Sequence, residues 1–173
     1  MILPSIMQKN TPKIEPIRTL RYSELVDFCN IIGIELLELA KPMHLIKETL
    51  YNTRYLRKGS DDDVIELSRL DGIIAFVGEE DYEIALAELQ MTKEERENPR
   101  NTHRLTWGEG KKVLKLCGVT QAELADAMLL SASQVSHLMG WYSRKLIPLR
   151  DIHTFKMVVG EKNFETALKM VRK

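Results

Sequence analysis

The chain has 173 residues, 44% of them hydrophobic, and its 25 Lys/Arg balance 25 Asp/Glu to leave no net charge near pH 7. That length supports one ordinary domain or two small ones, and no stretch approaches the roughly 18 apolar residues that cross a membrane. The opening MILPSIMQKN lacks the basic start, long apolar run and small-residue cleavage site of a signal peptide, so a cytoplasmic protein without a membrane partner is expected.

Residues 1–18 hold three prolines and no periodicity, and read as a flexible tail. Beyond them the apolar residues recur at helical spacing, and no alternating run of any length appears. Five helices are expected at about 22–32, 35–43, 46–56, 62–76 and 79–90. The polar, proline-containing MTKEERENPRNTH (91–103) reads as a linker, partly helical at its start. Five more helices follow, at about 107–116, 120–128, 132–141, 148–158 and 161–171.

The second set repeats the first. At a shift of 85 residues, LRYSELVDFCNIIGIELLELAKPMHL (20–45) lies over LTWGEGKKVLKLCGVTQAELADAMLL (105–130), and eight positions are identical, Leu20 with Leu105 and Ala40 with Ala125 among them. At a shift of 82, VGEEDYEIALAEL (77–89) lies over VGEKNFETALKMV (159–171). The three-residue difference falls in a loop, where insertion costs least. Two blocks matched in the same order predict an all-α chain of two tandem five-helix domains, 19–90 and 104–173, related by internal duplication.

Counted by copy, the charge is uneven. Residues 18–90 carry 8 Lys/Arg against 15 Asp/Glu, a net of −7, whereas 104–173 carry 12 against 6, a net of +6. An acidic and a basic half share one chain.

In the basic half, Thr120 with Glu123, Ser131 with Gln134 and Thr106 with Glu109 all have capping-box spacing, which marks three helix starts. Leu124, Ala125, Met128, Leu130, Val135 and Leu138 form the apolar side of the hairpin, with Ala125 small where its helices should approach closest. Ala132, Ser133, Gln134, Ser136 and His137 are left facing outward, without a carboxylate among them. A face of small and hydrogen-bonding groups suits the major groove of B-DNA, and free amides at a helix start suit a phosphate.

QAELADAMLLSASQVSHLMG (121–140) resembles the helix-turn-helix of the lambda repressor/Cro, or Xre-like, family, at Gln121, Ala125, Val135, Leu138 and Gly140. The resemblance spans about 65 residues of the second copy. It implies non-covalent binding of double-stranded DNA, with a phosphate contact at Gln121 and base reading by Ala132, Ser133, Ser136 and His137. It also implies backbone contacts from the following loop, at Tyr142, Ser143, Arg144 and Lys145. Leu129 departs from the pattern, because the family's turn commonly has glycine there. A leucine at positive φ costs about 1–2 kcal/mol, so a somewhat different turn is expected.

The first copy divides. Glu35 and Ile46 replace the capping Thr120 and Ser131, Leu36 replaces Gln121, Thr53 stands where Leu138 packs, and Pro42 interrupts the second helix. Yet residues 41–58 carry Lys41, Lys47, Arg54, Arg57 and Lys58 against Glu48 alone, and the third helix should expose Lys47, Tyr51 and Asn52. A second DNA-binding face of Lys47, Tyr51, Asn52, Arg54, Arg57 and Lys58 is one expectation, and a copy that packs, dimerises or holds a protein partner is the other.

No enzyme is expected. Ser133 and His137 stand four apart without an orienting acid or an oxyanion site. His44, His103, His137 and His153 show no metal-ligand spacing with Cys29 or Cys117, and no glycine-rich phosphate loop appears, so no metal or other cofactor is expected. Two cysteines are too few for a disulfide framework and read as packing residues. The expected function is a sequence-specific transcription regulator of bacterial or phage type, a repressor before an activator. It would work as a homodimer or as an intrachain pseudo-dimer. The alternative is an antitoxin-like or adaptor module whose acidic half captures a partner protein.

Overall fold

The computed structural model describes residues 19–173; the expected tail, 1–18, lies outside the described residues. The described chain is all-helical, without a β-strand. In the first half a 3-10 turn, Tyr22–Glu24, leads into α1 (Leu25–Ile32), followed by a 3-10 helix at Leu36–Leu39 and then α2 (Lys47–Leu56), α3 (Leu67–Val77) and α4 (Glu79–Leu89). A short α5 (Lys93–Glu97) crosses to α6 (Trp107–Cys117), α7 (Gln121–Met128), α8 (Ala132–Trp141), α9 (Leu149–Val159) and α10 (Glu161–Val171).

Written caps start three helices of the second half. The Thr106, Thr120 and Ser131 hydroxyls each accept from the amide three residues on, and Glu109, Glu123 and Gln134 each accept in return from the cap amide. In the first half the helix expected at 35–43 shrinks to a single 3-10 turn, Leu36–Leu39, before Pro42. There Glu38 still accepts from the Glu35 amide, but no side chain caps α2 at Ile46. The helix expected at 62–76 starts at Leu67 instead, because Ser60–Glu66 form an acidic loop around a 3-10 turn, Asp61–Asp63.

Several local features recur at the two shifts seen in the sequence. Isolated bridges join Arg21 to Val64 and Thr106 to Leu146. The Ile65 amide donates to Leu20 and the Ile147 amide to Leu105. The two non-glycine residues with positive φ among the described residues, His44 (54°) and Leu129 (56°), stand 85 apart. Leu129 therefore corrects the expectation of an altered turn: it adopts the left-handed conformation that glycine would take, with its side chain 92% exposed.

Buried side chains form one continuous core across both halves, from Tyr22, Phe28 and Leu50 to Val113, Val135 and Phe155. The halves meet where α1 packs on α9. Gly33, at φ +92°, lies so close to Pro148 that an added Cβ would come within 2.6 Å of the proline Cβ. Polar links reinforce this seam. Arg104 binds Glu88 through both carboxylate oxygens at 2.7–3.0 Å, with both residues buried. His153 Nε2 lies 2.9 Å from the Asp81 carboxylate, while Arg96 of α5 ties the connecting segment to the first half, reaching Asp27 at 3.6 Å. The segment expected to be a linker thus includes a capped helix, started by Thr92 and Glu95, and leads into the buried Thr102.

Candidate nucleic-acid interface

The hairpin of α7 and α8 stands on a rigid footing. Leu124 and Ala125 from α7 and Val135 and Met139 from α8 are buried, so the outer side of α8 is fixed by its inner side. Ala132, Ser133, Ser136 and His137 are all exposed on that outer side. Gln134 is exposed too, but its side-chain oxygen accepts from the Ser131 amide at 2.8 Å and is occupied by the cap. Gln121, half-buried, opens α7, and Lys111, Lys112 and Lys115 border the same shallow cleft. These three lysines were not among the expected contacts, although their spacing on one helix is legible.

After α8 the chain turns through Tyr142–Lys145 and is tied down by its backbone. The Trp107 amide donates to the Lys145 carbonyl at 3.0 Å, and the Gly108 amide to Ser143 at 2.9 Å. Ser143 is half-buried, while the Arg144 and Lys145 side chains remain exposed. Beside them, His137 stacks on Trp141 at 6.1 Å and meets the edge of Tyr142 at 5.5 Å. Trp141 is 85% exposed, and the sequence reading passed over it. An isolated aromatic at a helix end gives no apolar-periodicity signal.

The first-half counterpart, α2, has a different surface. Lys47, Tyr51 and Asn52 are exposed around a shallow depression with Leu37. Arg54 lies over two rings, 4.9 Å from Tyr51 and 4.0 Å from Tyr55, which spends part of its charge on local aromatics. Arg57 is committed inward, ion-paired to Glu66 at 3.1 Å and stacked over Tyr22 at 4.8 Å. Lys58 projects freely from the following turn. Ile46, Tyr55 and Leu56 add exposed apolar surface to this helix.

The carboxyl of Glu66 is the meeting point of that network. Burial alone would raise its pKa, but the Tyr22 hydroxyl, its own backbone amide, Arg57 and Arg69 outweigh it and hold the group at about 2. The thiols are moved the other way. Burial, with Glu38 and Glu35 nearby, pushes Cys29 up to about 12, and burial raises Cys117, so neither is a ready thiolate at neutral pH.

Among the described residues no cluster of three or more His, Cys, Asp and Glu can hold a metal ion, and no helix is long and apolar enough to cross a membrane. What remains is an exposed, carboxylate-free helix face flanked by cations. Comparison with protein-family models, with curated proteins and with solved structures gives no match.

Proposed function

We propose that this chain is a sequence-specific, double-stranded DNA-binding transcription regulator of bacterial or phage type, a repressor that acts by covering its site. The observation that carries the reading is α8: its outer row of Ala132, Ser133, Ser136 and His137 is exposed on a packed hairpin, with Arg144 and Lys145 beside it. That arrangement offers groove-sized hydrogen-bonding groups next to phosphate-seeking charge. The net of +6 over residues 104–173 supplies the long-range attraction.

We further infer two copies of one helix-turn-helix unit. The recurrence of the bridges, the loop hydrogen bonds and the left-handed turn residues at the sequence shifts supports it. On this reading the second copy supplies the DNA contacts. The first copy has kept the unit's packing while its counterpart helix lost its cap and turned Arg57 inward. Gel shifts on a random duplex pool, repeated at rising salt, test the function. Selective binding with a steep negative salt slope is expected, and no binding by the full chain to any duplex would overturn it.

A second reading, an adaptor whose first half captures a protein, draws on one observation. The α2 face exposes Ile46, Tyr51, Tyr55 and Leu56 within the acidic half. A partner pulled down by the full chain and lost on Tyr55→Ala, with DNA binding unchanged, would favour it.

A further inference from the structure

A cleft of about 840 Å³ opens where the α7–α8 turn, α9 and Gly33 of the other half come together. Its size falls within the roughly 300–1,000 Å³ usual for small-molecule sites. Met128, Leu130 and Leu138 give it apolar walls, and Asp151 is the acid among its lining residues.

That carboxylate is without a partner for a specific reason. In α6, α7 and α8 the third helical residue reaches back to the amide of the cap residue. At α9 the cap is Pro148, which has no N–H to offer, so Asp151 at the equivalent place has nothing to receive. Among the described residues it accepts no hydrogen bond and has no cation within 4 Å. Arg150 leans instead toward Glu38 of the first half at 3.9 Å. Burial pushes the Asp151 carboxyl up, against the pull of Arg150.

The first half has different side chains at the corresponding positions. At the sequence shifts, Trp107, Tyr142, Pro148 and Asp151 correspond to Tyr22, Arg57, Glu66 and Arg69. Those four form a closed network: the Tyr22 hydroxyl meets Glu66 at 2.7 Å, and Arg57 and Arg69 meet it at 3.1 and 3.2 Å. Likewise Pro42 and Gly72, which touch so closely that a Cβ on Gly72 would lie 1.9 Å from the Pro42 oxygen, correspond to Ala127 and Thr154 on the cleft wall. At these positions the second half has Tyr142 and Asp151 in place of the two arginines, and Ala127 and Thr154 in place of the Pro42–Gly72 contact.

We propose that this cleft binds a small organic ammonium compound, its apolar body against Met128, Leu130 and Leu138 and its charged nitrogen on Asp151. Lys145 and Arg150 also line the cleft, but both are exposed, so solvent screens their repulsion more than it screens the attraction of the half-buried Asp151. The cleft shares Tyr142 and Lys145 with the loop after α8, but the proposal does not rest on the DNA reading, and its test contains no DNA.

The full chain, labelled with nitrogen-15, is titrated with 2-phenylethylamine and separately with 3-phenylpropionate, which share a ring and differ in charge. The amine is expected to saturate at roughly 1–10 mM, as its size allows, and to shift amides of 128–130 and 151–154. Asp151→Asn is expected to weaken it by roughly tenfold or more, since a charge-assisted contact becomes neutral. Ala127→Leu, which fills the cleft from an exposed position, is expected to abolish it. Equal binding of amine and carboxylate, shifts confined to other regions, no saturable shift, or unchanged affinity in folded Asp151→Asn would each overturn the proposal. If Asp151→Asn does not fold, Ala127→Leu and the two-probe comparison decide.

Discussion

Glu66 and Leu129 are two positions where a single substitution should move stability in opposite directions. Glu66 is held at about 2, well below the 4.5 of a free side chain, so its network stabilises the fold above that ordinary value. The contribution disappears as pH falls from 4.5 through about 2, because the folded state must then take up a proton it disfavours. Glu66→Gln is therefore expected to melt below the parent at pH 7, with the gap closing toward pH 2. An equal gap at both pH values would mean that charge is not what holds Tyr22, Arg57 and Arg69 together. Leu129 sits at φ 56° with its side chain in solvent, so it gains no burial to offset the strain. Leu129→Gly should raise stability by up to about 1 kcal/mol, the relieved strain less the added chain entropy of glycine. In thermal melts that is a rise of roughly 2–4 °C for a chain of this size, and a fall would show that the exposed leucine has contacts of its own.

At the scale of elements, most helix starts were legible, and α2, α4, α9 and α10, which no side chain caps, still begin at the expected residue or one later. The α6, α7 and α8 helices begin at the expected residues or one later, because Thr106, Thr120 and Ser131 state their starts in the sequence. The departures lie where Pro42 and the acidic loop intervene: Leu36–Leu39 forms only a 3-10 turn, and α3 begins at Leu67. Outward positions of α8 were readable from period alone, since burying Val135 and Met139 dictates what faces away. The Arg57–Glu66 pair and the cleft at Asp151 were not readable, because each depends on where separate elements meet in space. The α8 face and the loop after it take two expected roles. Arg144 and Lys145 to alanine should weaken binding on every duplex and flatten the salt slope by up to about two, roughly one per phosphate contact. Ser133 and His137 to alanine should change which sequence is preferred, by about 1–3 kcal/mol at the affected base pairs. Competition gel shifts with single-base variants of a selected site separate the two. Uniform losses from the second pair would remove α8 from the reading role.

For the whole molecule, the seam between halves decides whether the chain behaves as one body. The core runs through it without a break, α1 lies on α9, and Arg104 and Glu88 pair there with 7% and 1% of their surface exposed. Burying two charges gains little over an apolar contact, but removing one partner strands the other, at a cost of about 3–5 kcal/mol. Arg104 has a second function, since its carbonyl accepts from Arg172, whose guanidinium also binds Glu109 at 3.0 Å. The pair thus links the end of α4 to α6 and α10 together. Glu88→Ala should lower the melting temperature by on the order of 10 °C. Both tryptophans, Trp107 and Trp141, belong to the second half, so their fluorescence follows that half while far-ultraviolet circular dichroism follows the whole chain. In the parent the two signals should change together, as a shared core requires. In Glu88→Ala both should move down, because the stranded Arg104 destabilises the second half as well as the seam. If instead the tryptophan signal keeps its parental midpoint while part of the helical signal is lost earlier, the halves unfold independently, and the continuous core does not couple them.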